Sequence, residues 1–139
     1  MMSPASSRFE EIEHTADAAL RVYGGDFGEL LVHAALGMFG LIAAWENATL
    51  STEREISLSS VDAETLMVDW LSELLYLHDM EGIVYIDFDI LSVSPNSLRA
   101  IARGTDEWLP KAVVKAATFN DLHIDRTPQG YSATIVFDT

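Results

Sequence analysis

From Phe9 onward the chain carries regular patterns of apolar and polar positions. Phe9–Glu13 reads as a short strand, His14-Thr15-Ala16-Asp17 as a polar turn, and Ala18–Tyr23 as a second strand. In that second strand Leu20 and Val22 share one face, and Arg21 and Tyr23 the other. Gly24-Gly25 ends it. Asp26 followed by Glu29 is a capping pair for a helix. Phe27, Leu30, Leu31, Ala34, Met38, Phe39, Leu41 and Ile42 then follow helical spacing. Gly37 and Gly40 each cost that helix about 1 kcal/mol relative to Ala, and close packing against a sheet is the expected reason.

Leu50–Ser59 alternates again and predicts a strand, with Ser51, Glu53, Glu55, Ser57 and Ser59 forming a wholly polar face. Asp62 caps a second helix running to about Met80. Its apolar arc is wide, and Asp69, Ser72, Glu73 and Tyr76 fill a narrow polar strip, so the helix should be largely buried. After Gly82 the patterning becomes β. The predicted strands are Val84–Ile90 and Leu98–Arg103 around a turn at Pro95-Asn96, then Val113–Phe119, Leu122–Asp125 and Tyr131–Phe137. Gly104–Pro110, with Trp108, reads as a loop. About seven strands and two helices, with the strands clustered late, predict an α+β fold: a mostly antiparallel sheet covered by two helices. Residues 1–8 read as a flexible N-terminus and 9–139 as a single domain.

Composition narrows the function. The 139 residues carry 8 Lys+Arg against 22 Asp+Glu, a net charge of −14, yet 49% are hydrophobic. That apolar content excludes a disordered acidic tail. The acidic balance argues against nucleic-acid binding driven by phosphate neutralisation, and favours a cation or a protein with a basic surface. The chain has no cysteine, which removes disulfides, zinc ribbons and thiol nucleophiles. No stretch approaches the ~20 apolar residues of a membrane span, and Met1–Arg8 lacks the features of a signal peptide. The expected compartment is the cytoplasm.

Four groups could carry chemistry. Glu13-His14-Thr15-Ala16-Asp17 packs two carboxylates, an imidazole and a hydroxyl into one turn, which could equally be a polar turn bonding its own backbone. Asp138 stands beside Thr139 and its terminal carboxylate; together they offer oxygens to a hard cation, and Asp17 would add more if its turn folds alongside. The plain alternative is an acidic, solvated tail. Asp69 and Glu73 lie one helical turn apart and suit water, a cation or a basic partner. Arg99, Arg103, Lys111 and Lys115 recur at even spacing within predicted strands, as a phosphate- or partner-facing patch or as cross-strand partners of carboxylates. His33 and His78 suit hydrogen-bonded structural roles, and no metalloprotease, Walker or dinucleotide motif is present.

Taken in order, Phe9–Asp17 (FEEIEHTAD), Val22-Tyr23-Gly24, Val68–Tyr76 (VDWLSELLY), Val114–Thr118 (VKAAT) and Val136-Phe137-Asp138 resemble the archease family. Glu13, Asn120 and Thr139 stand where that family usually has Asp, His and Ile or Val. The resemblance implies an α+β fold and an accessory protein of an RtcB-type RNA ligase in tRNA splicing and RNA repair. Such a protein promotes guanylylation of the ligase and its repeated turnover without being an enzyme itself. It also implies a divalent cation, Ca²⁺ above others, held by Asp17, Asp138 and Thr139. His14, Asp69, Glu73 and Lys115 are the candidates for partner contact or support. The competing expectations are a metal-dependent hydrolase with His14 as general base, and an acidic chaperone-like module for RNA-processing enzymes. The Trp108 loop or the glycine-bearing helix could serve a homo-oligomer.

Overall fold

The computed structural model of the protein describes residues 8–12 and 18–139. Residues 1–7 and the segment from Glu13 to Asp17 therefore lie outside the described residues, and with them the expected turn at His14. The elements are β1 (Phe9–Ile12), β2 (Ala18–Gly24), α1 (Phe27–Ile42), β3 (Ala43–Ala44), β4 (Thr52–Ser59), α2 (Ala63–Glu81), β5 (Val84–Ser94), β6 (Ser97–Thr105), β7 (Leu109–Pro110), β8 (Ala116–Thr127) and β9 (Gly130–Asp138).

Both helices start where their caps predict. Glu29 N donates to Asp26 Oδ1 at 2.8 Å and Gly25 N to Glu29 Oε1 at 2.8 Å, a reciprocal capping pair. Thr65 N donates to Asp62 Oδ1 at 2.8 Å. Hydrogen bonding from the Thr65 side chain, and then from its backbone N–H, holds the Asp62 carboxyl below its ordinary pKa. α2 ends on Gly82 in the left-handed region (φ 69°), where glycine carries no steric penalty. α1 has no basic residue in its last turn, and Lys111 supplies the missing cation from another part of the chain: its Nζ donates to Gly40 O at 2.6 Å.

The strands divide into more sheets than the single one expected. β1-β2-β9-β8 form one sheet, β4-β6-β5 a second, and β3-β7 a two-residue ribbon; every pairing is antiparallel. α1 touches both larger sheets. A Cβ on Gly28 would meet Ile90 and Val93 of β5, whereas one on Gly37 would come within 2.8 Å of Leu20 in β2 and 3.1 Å of Phe9 in β1. A helix pressed from two sides needs apolar residues around most of its circumference, and α1 has them. α2 packs on β8 and is tied to α1 by Trp70, whose buried Nε1 donates to Leu31 O at 2.8 Å. The Trp70 ring meets Phe88 of β5 edge-on at 5.6 Å. These contacts belong to one continuous hydrophobic core.

Three further expectations change. Gly104–Pro110 is not all loop: β6 runs to Thr105, and Leu109-Pro110 pair with Ala43-Ala44. Val113–Val114 and Lys115 are not strand; β8 begins at Ala116, so Lys111 and Lys115 do not share a strand face. The predicted Val113–Phe119 and Leu122–Asp125 strands are instead parts of one strand, β8, whose register against β9 breaks between Thr118 and His123. Asp121 (φ 57°) lies in that irregularity, and the polar Asn120-Asp121 pair there interrupts the alternation along the sequence.

Candidate functional site

β9 is a central strand, paired along its length with β2 on one side and β8 on the other. At its far end Ala18 opposes Phe137, and Ala116 opposes Asp138. Lys115 N donates to Asp138 O at 2.8 Å, so the pairing extends one residue past β8. Three stretches of chain thus converge here: the start of β2, the start of β8 with Lys115, and Asp138-Thr139. The strand beneath is fixed by burial, since Ile135, Val136 and Phe137 are all enclosed. Val136 is buried although alternation sets it on the same face as Asp138, so both faces of β9 are covered just before the side chains turn outward. Asp138 and Thr139 are exposed.

Of the predicted site residues, Asp138, Thr139 and Lys115 therefore gather in one place through backbone pairing. His14 and Asp17 belong to the segment outside the described residues. Among the described residues no group of three or more His, Asp or Glu side chains could hold a metal ion. Asp138 and Thr139 offer the oxygen donors that a hard cation takes, and they would need further ligands to complete its shell.

Asp69 and Glu73 sit on α2, both half-buried. Asp69 is engaged locally, accepting from Ser60 Oγ at 2.6 Å just ahead of the helix cap. The arginines of the basic group have the cross-strand role. Arg103 on β6 reaches Glu53 of β4 (2.9 Å) and Asp87 and Asp89 of β5 (2.9 and 2.8 Å), and Arg99 lies 3.4 Å from Glu55. The carboxylates of Asp89, Asp87 and Glu53 raise the Arg103 pKa further, so its charge is fixed.

The histidines of the helices serve structure. His33 Nδ1 donates to Tyr23 O at 2.6 Å, and His78 Nδ1 to Ile83 O at 2.9 Å. Near the first strands, Tyr23 OH donates to Glu10 Oε1 at 3.1 Å, and burial together with that carboxylate pushes the phenol up. Sequence reading passed over Trp45, which lines two surface cavities beside the β3–β7 ribbon, one of them shared with Trp108. The signal that could have found it is weak: an aromatic residue three positions after an apolar helix end.

Comparison with known proteins bears on the same frame. The sequence model of the archease protein family matches residues 9–139. The archease of Methanosarcina mazei is 36% identical over 146 residues, covering 99% of both chains. That of Pyrococcus furiosus is 35% identical over 131 residues, covering 88% of this chain and 92% of its own. Among solved structures, Methanobacterium thermoautotrophicum protein 1598 superposes with a TM-score of 0.77 at 29% identity, covering 96% of this chain and 99% of its own. An archease of Thermotoga maritima, described as a possible chaperone, gives 0.67 at 25% identity, covering 100% and 98%. With the family pattern running through all the described strands and both helices, this chain belongs to the archease family.

Proposed function

We propose that this protein is an accessory factor of an RtcB-type RNA ligase, promoting guanylylation of the ligase and its turnover in tRNA splicing and RNA repair. The observation that carries the reading is the pairing of Ala18 with Phe137. It sets the residue that follows Asp17 in sequence against the residue that precedes Asp138. A divalent cation would be held by Asp17, Asp138 and Thr139, and it would offset the mutual repulsion of their carboxylates. The exposure of Asp138 and Thr139 supports a site open to a partner. Lys115, bonded through its backbone to Asp138, fixes the direction in which that strand end points.

The protein's own contribution is electrostatic and positional. A net charge of −14 suits docking on the basic, RNA-binding face of a ligase, and complementary charge would speed encounter. The test adds this protein to the RNA ligase of the same source and measures ligase–GMP formation from GTP, with and without chelator. Asp138→Ala should abolish the stimulation while leaving the thermal melt unchanged, because the side chain is exposed at a strand end. Full stimulation by that variant, or by the untreated protein in chelator, would reject the cation-dependent reading.

A further inference from the structure

The β3–β7 ribbon ends in an open cavity of about 380 Å³ lined by Ala44, Trp45, Glu46, Glu107, Trp108 and Leu109. Its makeup follows from register. Ala43 opposes Pro110 and Ala44 opposes Leu109. Trp45 and Glu46 follow β3, and Glu107 and Trp108 precede β7, so the two chain segments flanking one end of the ribbon supply the cavity's lining. Two carboxylates lining one cavity repel, and among the described residues no basic side chain lines it. Two basic residues, Arg8 and Lys111, line a neighbouring cavity that shares Ala44 and Trp45, and Lys111 is engaged with Gly40 O.

The aromatic wall is held in place beforehand. Trp108 Nε1 donates to Gly82 O at 2.8 Å, and its ring lies 5.2 Å from His78. His78 in turn meets the buried Phe39 edge-on at 5.9 Å and is bonded to Ile83 O. A chain of contacts thus runs from the core to the cavity wall, so little ordering is needed when something binds. Glu107 accepts from Thr49 N at 3.3 Å, which restrains one carboxylate. Around the rim, Leu109 is 71% exposed.

We propose that this cavity receives an arginine side chain presented by a partner protein. A guanidinium is planar and stacks on indole faces, and its forked N–H groups can donate to two carboxylates at once. An exposed apolar rim suits a protein surface around that side chain. A second copy of this chain is a poor occupant, since each copy carries a net charge of −14. The proposal does not depend on the cation site or on the identity of a ligase.

The three tryptophans allow a direct test by their indole N–H resonances. Trp70 is fully buried and bonded to Leu31 O, and serves as internal reference. The probe is the capped tripeptide glycyl-arginyl-glycine, titrated into the labelled full chain. The Trp45 and Trp108 signals should move along a saturable curve while Trp70 stays fixed. The same tripeptide with neutral citrulline should bind at least about tenfold more weakly, as should the arginine tripeptide to the Glu46→Gln/Glu107→Gln variant. Trp45→Leu should weaken binding with the Trp70 signal unmoved, which shows the fold intact. Equal binding of the citrulline peptide, or indifference to Trp45→Leu, would overturn the proposal. So would concentration-dependent movement of these signals without peptide, which would assign the cavity to self-association.

Discussion

Gly37 and Gly40 look alike in sequence, three residues apart in one apolar helix, yet the structure gives them opposite consequences on substitution. A Cβ at position 37 would come within 2.8 Å of Leu20 Cδ1 and 3.1 Å of Phe9 Cγ, with Leu20 fully buried. At position 40 the nearest atom is Phe9 Cζ, at an ordinary 3.8 Å. Replacing either by alanine removes the backbone-entropy penalty of glycine, worth about 1 kcal/mol in a helix interior and somewhat less in the last turn. Gly37→Ala must also push apart a packed helix–sheet contact, a cost of about 1–3 kcal/mol. The expected outcome is a net loss of about 1 kcal/mol for Gly37→Ala and a gain approaching 1 kcal/mol for Gly40→Ala. For a domain of this size the two variants should then melt about 6 °C apart. Urea unfolding followed by far-ultraviolet circular dichroism gives the same comparison at constant temperature. If Gly37→Ala is as stable as Gly40→Ala, or more so, the argument that α1 is pinched against β2 is wrong.

Trp70→Phe removes the donor to Leu31 O and leaves unfilled space between α1, α2 and β5; it should cost about 2 kcal/mol in urea unfolding. Asp62 has a folded pKa below its unfolded value, so its stabilising effect is complete above the ordinary carboxylate range and is lost as pH falls through the lowered value. Asp62→Asn keeps a capping oxygen but not the titration, so its stability should fall less steeply than that of the wild type below about pH 4, a window read from acid titrations of the two proteins. Identical acid slopes would remove Asp62 from the account.

The helices were legible because their signals are local. Asp26, Glu29 and Asp62 act within four residues of themselves, and the bond from Glu29 N to Asp26 forms as spacing predicts. Sheet membership was less legible, because alternation says that a strand exists but not which strand it joins. Nothing in the spacing of Leu20 or Ala100 distinguishes the four-stranded sheet from the three-stranded one. The β3–β7 ribbon escaped notice because two residues per strand hold no period, and its partners come from opposite ends of the domain's middle. Lys115 and Asp138 each stood out by residue type, but only the register of β8 on β9 makes them neighbours. Arg99 and Arg103 could have faced a ligand; the carboxylates opposite them on β4 and β5 settle their role, and those depend on strand order.

The placement of β9 between β2 and β8 has a kinetic consequence. β2 forms early in the chain, yet its inner ladder waits for a strand from the other end. Closing so long a loop is entropically slow, and topologies dominated by distant pairings fold slowly. Until that closure, a growing chain presents β2 with one ladder of amides and carbonyls open, which is the template other chains can join. The interval before β9 arrives is therefore when this protein is most exposed to aggregation, and refolding yield should fall with protein concentration even where the finished fold is stable.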